Sequence, residues 1–210
     1  MNSHAQPARV HGHPPWDQSL ARIIIKPFVK TRLHPNHLTL GTLLLGISSA
    51  VLFASGNSRL CGVAAFLYML AVFSDHMDGE LARLSGKSSN FGHKFDYIVG
   101  GINYTLLFIG IGIGLYPVYG TWALTLGIAG GMANPFTLWI RMAMEKSFGK
   151  EAVEHPAFAR FEIEDAIYLI GPVTWIAGIL YFFIPFAAGS VGYLLWTMRQ
   201  YVLRRSGNDS

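Results

Sequence analysis

From residue 37 onward the chain is a succession of long apolar stretches, interrupted by short clusters of glycine, proline and polar residues. Six stretches approach the roughly 20 helical residues needed to cross a hydrocarbon core. They cover about 37–55, 60–84, 91–115, 119–143, 163–183 and 186–204. Ahead of them, Pro15–Leu33 mixes Trp16, Leu20, Ile23, Ile24 and Phe28 with Arg22, Lys26, Lys30 and Arg32. This is the pattern of a helix lying among lipid headgroups, kinked or broken near Pro27. His34-Pro35-Asn36 then breaks the chain, with Asn36 placed to cap the next helix. The predicted fold class is all-α: a polytopic membrane protein in which six transmembrane helices within residues 35–205 follow an interfacial amphipathic helix at 15–34. Residues 1–14, polar and containing His, Pro and Gly, are expected to form a disordered tail, and 206–210 a second short tail.

Composition sharpens this picture. Hydrophobic residues make up 51% of the 210 and charged residues only 13%, too apolar a balance for an ordinary soluble domain. Cys61 is alone, which removes a disulfide framework and a thiolate metal site. The charges are sorted by side. With six spans, fifteen of the sixteen Lys and Arg fall on one surface and Arg59 alone on the other. The positive-inside rule then puts both termini in the cytoplasm and the protein in the inner, cytoplasmic membrane. These basic residues track a membrane surface, not a groove, so no nucleic-acid partner is expected. Gly110 and Gly114, like Gly127 and Gly131, form G-x3-G stripes that let helices approach closely in lipid, within one protomer or between two.

Against this apolar background the polar stretch from Asp75 to Gly100 is conspicuous. At about 100° per residue, Asp75, Asp78, Gly79 and Ala82 share one arc of a helix with Arg83 at its edge. Gly92, Asp96 and Gly100 recur at i, i+4 and i+8 on the next helix. A short turn over Ser85–Phe91 would bring the two stripes face to face, leaving three carboxylates in a small volume. Two unit charges about 4 Å apart interact by roughly 4 kcal/mol at an effective dielectric near 20. Either protons or a divalent cation must offset that repulsion, and an all-oxygen set favours Mg2+, Mn2+ or Ca2+ over zinc. Glycines beside such an ion suit the close approach of a phosphate ester.

These residues resemble the signature of the CDP-alcohol phosphotransferase family, D-x2-D-G-x2-A-R-x8-G-x3-D-x3-D. Asp75, Asp78, Gly79, Ala82, Arg83, Gly92 and Asp96 match it in identity and spacing, and the P-N-x-L-T phrase at Pro35–Thr39 is similar to the start of the family's first membrane helix. The resemblance implies a transferase of phospholipid biosynthesis. It would move a substituted phosphate from a CDP-alcohol donor, CDP-diacylglycerol being favoured, to an acceptor alcohol, with release of CMP. It implies Mg2+ or Mn2+ as cofactor, Asp75, Asp78 and Asp96 as metal ligands, and room for the nucleotide at Gly79, Ala82 and Gly92. Arg83 would meet the phosphates, membrane lipids would surround the protein, and a homodimer is expected.

One position departs from the signature: Gly100 stands where the family has its last aspartate, thought to serve a second metal and to act as the base. Three accounts follow. Either a substitute base is supplied by His93, or by Glu162, Glu164 or Asp165 at the start of the fifth span; or the metal and water suffice; or the protein is a catalytically impaired or silent relative that binds CDP-alcohol or lipid. His76, beside Asp75, is expected to face away from the carboxylate stripe. A transporter is disfavoured because no acidic residue lies in the outer halves of the spans.

Overall fold

The computed structural model describes residues 16–149 and 163–208, and every element within them is helical. The tail expected over residues 1–14 lies outside the described residues. Helix α1 spans Trp16–Ile25 and a 3-10 turn, Lys26–Phe28, follows it where Pro27 removes a backbone donor. The break near Pro27 is thus as expected. Then come α2 (Pro35–Ala54), α3 (Ser58–Ser85), α4 (Asn90–Tyr119) and α5 (Thr121–Phe148). After residues 150–162 the chain resumes in a 3-10 segment, Ile163–Leu169, which leads into α6 (Ile170–Ile176) and α7 (Ile179–Asn208).

Five of these helices, α2, α3, α4, α5 and α7, are long and apolar enough to cross a membrane. The expected span over 163–183 is not one helix. Gly178, at φ 99°, breaks it after Ala177, and residues 179–183 open α7 instead. The turn expected at Ile184–Pro185 is therefore absent, and Pro185 sits inside α7. The broken piece still packs beside the first half of α3. Tyr168 packs on Trp16 of α1, Gly171 lies against Met69, and the Trp175 indole N–H donates to the Gly62 carbonyl at 3.1 Å. Helix α7 also continues through residues 206–208, where a tail was expected.

Residue chemistry explains the packing. Helix α2 turns Leu40, Leu44, Ile47 and Val51 outward and keeps Thr39, Thr42, Gly46, Ser49 and Ala50 inside. An apolar exterior over a small, polar interior is what lipid demands, since close backbone contact and buried hydrogen bonds hold such helices together. Ser49 donates to the Ala64 carbonyl at 2.7 Å, and the Asn103 amide donates to the Thr42 carbonyl at 3.1 Å. Gly46 leaves the space that the Asn103 side chain fills.

The glycine stripes work in the same way. A methyl group on Gly110 would sit 2.5 Å from the Ala50 carbonyl oxygen, and one on Gly127 would sit 2.6 Å from the Phe108 carbonyl oxygen. Gly114 abuts Phe53, and Gly131 abuts Thr105. Both stripes are occupied within one protomer, so a second copy would have to use another surface.

Helix ends place the site. His34 caps α2, its Nδ1 accepting from the Asn36 N–H at 3.3 Å; Asn36 itself, expected as the cap, is inside the helix. Gly86, at φ 66°, ends α3 in the left-handed region where a side chain is strained, and Ser89 Oγ accepts from the Gly92 N–H to begin α4. The Lys87 ammonium in this link donates to the Leu33 carbonyl at 3.0 Å, tying it to the start of α2. Antiparallel pairing of α4 with α5, and the ring contact of Phe148 with Tyr201, bring the remaining basic helix ends to the same end of the bundle. The aromatic and aliphatic core around Phe53, Leu107, Phe108, Ile111, Phe182 and Phe183 lies beyond the polar motif.

Candidate active site and metal centre

The link over residues 86–89 is too short for anything but antiparallel neighbours, so the last turns of α3 face the first turns of α4. One oxygen from each of Asp75, Asp78 and Asp96 lies within 4.8 Å of the others. A third helix supports the group: Thr39 Oγ1 of α2 donates to Asp78 Oδ2 at 2.6 Å, with both residues buried. The two stripes read from helical periodicity do converge. Three carboxylates this close cannot all remain charged without a cation, and their oxygens are the donor set a hard dication takes. The residues fit Mg2+ or Mn2+.

The glycines of this region differ from those in the rest of the bundle. A methyl group on Gly79 would meet only the mobile guanidinium of Arg83, at 3.6 Å, and one on Gly92 would meet Ser89 Oγ and Asn36 Oδ1 at 3.1 and 3.2 Å. One on Gly100 would meet nothing within 4 Å. No helix backbone needs the bare surface at Gly79 or Gly100, in contrast to Gly110 or Gly127. Arg83 lies over Gly79, where its Nη2 pairs with Glu80 Oε1 at 2.6 Å. The guanidinium is half-exposed and Glu80 is buried, so the pair orients Arg83 across the face that the glycine leaves open.

The sequence profile of the CDP-alcohol phosphatidyltransferase family matches residues 32–199. The chain belongs to that family. No curated protein sequence matches it. Among solved structures it is similar to two of Mycobacterium tuberculosis phosphatidylinositol phosphate synthase (PgsA1). The one with CDP-DAG bound superposes with a TM-score of 0.64 at 15% identity, covering 90% of this chain and 92% of that one. The one in complex with manganese and citrate gives 0.60 at 16% identity, covering 90% and 87%. At these identities the likeness is one of fold.

As a member of this CDP-alcohol phosphatidyltransferase family, the chain keeps the signature through Asp96 and departs at Gly100. Among the candidate replacements, His93 is exposed and packs edge-on against Tyr97, with ring centroids 4.8 Å apart. It shares a face of α4 with Gly100 but lies seven residues earlier, about 10 Å along the axis. Glu162 lies outside the described residues, and Glu164 and Asp165 fall in the first turn of the 3-10 segment. Arg141 of α5 is engaged with the Tyr193 hydroxyl of α7.

Three contributors went unrecognised in the sequence. Thr39 belongs to the P-N-x-L-T phrase, and that phrase was the only signal for it. Glu80, the Arg83 partner, is legible as an i, i+3 pair. The third is Asp17, fully buried on α1, whose Oδ2 lies 2.9 Å from Nε2 of His76. His76, expected to face away from the carboxylates, meets α1 through this contact. Burial alone would raise the Asp17 carboxyl; the hydrogen bond and charge of His76 and the Gln18 N–H outweigh it and hold the group below its ordinary value.

Proposed function

We propose that this chain is a metal-dependent transferase of the cytoplasmic membrane that takes CDP-diacylglycerol as donor and an alcohol as acceptor and releases CMP. The observation that carries the proposal is the convergence of Asp75, Asp78 and Asp96 from two helices within 4.8 Å. CDP-DAG and manganese in the two structures of similar fold support the donor and the cofactor class. Asp75, Asp78 and Asp96 would hold Mg2+ or Mn2+, which when bound supplies positive charge to the donor's phosphates.

The chain's own residues do the rest. Gly79, Ala82 and Gly92 let the nucleotide approach the helix backbones, and Arg83 leaves Glu80 to present its planar fork to phosphate oxygens. The acceptor oxygen forms a new ester bond to the phosphate bearing diacylglycerol, the pyrophosphate bond breaks, and CMP departs with the bond's electron pair. The acceptor's proton goes to a base, which in the absence of an aspartate at position 100 we assign to His93, with Glu162, Glu164 and Asp165 as its competitors. The basic end of the bundle, and with it the site, faces the cytoplasm.

CMP release from labelled CDP-diacylglycerol across a panel of acceptor alcohols, with Mg2+ or Mn2+, tests this reading. Turnover that depends on one acceptor and vanishes in Asp78→Ala is the expected result; no acceptor giving turnover would refute it. A second reading, an impaired relative that binds CDP-alcohol without turning it over, is favoured by one observation. No atom comes within 4 Å of where a Gly100 side chain would begin, so nothing in the described structure has moved into the missing aspartate's place. Gly100→Asp separates the two. If only that variant turns over, the impaired reading stands; if the parent is already fast and the variant gains nothing, the substitute base stands.

A further inference from the structure

The bond between Asp17 and His76 joins two parts of the molecule that the family signature does not connect. Asp17, Ala21 and Ile25 form an i, i+4, i+8 stripe on α1 and are all buried, whereas Leu20, Ile23 and Ile24 of the same helix are exposed. The buried stripe packs mainly on α3. At its centre of charge, the Asp17 carboxylate, with no exposed surface, meets Nε2 of His76 at 2.9 Å. Trp16, one residue earlier, packs on Tyr168 with ring centroids 5.3 Å apart, which holds the other side of α1 against the 3-10 segment. A carboxylate with no exposed surface is costly to bury unless its partner requires it.

His76 directly follows Asp75. On an α-helix adjacent residues point about 100° apart, so α3 directs Asp75 toward Asp96 of α4 and His76 toward α1. Any rotation of α3 about its axis moves both. With a carboxylate about 6 Å from the axis, a rotation of about 10° displaces it by about 1 Å, enough to spoil a site that depends on position.

We infer that Asp17 and His76 are positioning residues: their bond fixes the rotation of α3 on the seated interfacial helix and so sets Asp75 for the dication. The inference rests on the proposed metal role of Asp75, Asp78 and Asp96. It also gives α1 a function beyond anchorage, since loss of its seat on α3 releases the first ligand of the cluster.

Mn2+ binding to the purified full-length protein in lipid nanodiscs, followed by the electron paramagnetic resonance of free Mn2+, tests this without any substrate. Asp17→Ala is expected to weaken Mn2+ binding about tenfold, the lower end of what loss of an outer support costs a metal site. His76→Gln, whose amide N–H can still reach Asp17, is expected to stay within about threefold of wild type. As a control for loss of folding in Asp17→Ala, the apolar pair Asp17→Leu with His76→Leu serves as a second variant that keeps the α1–α3 contact while removing the bond. Weakened Mn2+ binding at an undiminished melting temperature in that pair supports positioning. Unchanged Mn2+ binding in Asp17→Ala or in the leucine pair would overturn the inference and leave the metal site standing. A wild-type protein that binds no Mn2+ would instead sink the metal reading, and this inference with it.

Discussion

Thr39→Val removes a hydroxyl at the centre of the proposed site, one that reaches the Pro35 carbonyl at 3.3 Å within its own helix and Asp78 across helices. Valine keeps the β-branched shape and volume of threonine, so the packing of α2 on α3 is left nearly intact. What it removes is the hydroxyl that donates to Asp78 Oδ2 at 2.6 Å, between residues whose exposures are 3% and 4%. At that burial the oxygen left behind loses its one side-chain donor among the described residues. Leaving a buried charged group without its partner costs about 1.5–3 kcal/mol. If that cost falls on the positioning of Asp78, it corresponds to roughly a ten- to hundredfold loss in rate. Thr39→Ser restores the donor and is expected to remain within about threefold of wild type. The assay is CMP release at a series of Mn2+ concentrations, with direct Mn2+ binding measured in parallel. Thr39→Val should require more Mn2+ for half-maximal rate as well as turn over more slowly. A valine variant indistinguishable from the serine variant in both measurements would refute the claim that α2 orients the metal ligands.

Gly110→Ala would press a methyl group to 2.5 Å from the Ala50 carbonyl, and since backbone cannot yield as a side chain can, a loss of about 1–3 kcal/mol is expected in detergent thermal denaturation. Gly189→Ala, which meets nothing within 4 Å, should match or exceed wild-type stability in the same measurement. Asp17, held below its ordinary value, contributes stability that is complete above the unfolded carboxyl value of 3.8 and is lost as pH falls through its lower folded value. The melting-temperature gap between wild type and Asp17→Asn should therefore close as pH falls below about 4; a gap that persists undiminished at about pH 3 would contradict this. For orientation, a cysteine at Lys87 should be labelled by a membrane-impermeant maleimide only from the cytoplasmic face, and one at Arg59 only from the other face.

Much of this protein was determined by sequence alone, because helix geometry turns local spacing directly into placement. D-x2-D-G-x2-A-R puts its members on one arc, G-x3-D does the same on the next helix, and the short link between them forces the arcs together. Hydropathy likewise found five full-length helices, since lipid imposes a minimum apolar length. Hydropathy did not see the break at Gly178, because an apolar run looks the same whether or not the chain turns within it. Only the tertiary structure decided which side chains meet across large separations: Thr39 with Asp78, Asp17 with His76, and Arg141 with Tyr193. It also assigned the glycine stripes to contacts inside the protomer while leaving Gly79 and Gly100 uncovered. Such partners depend on how whole helices rotate and pack against one another, and no local pattern along the chain encodes that rotation.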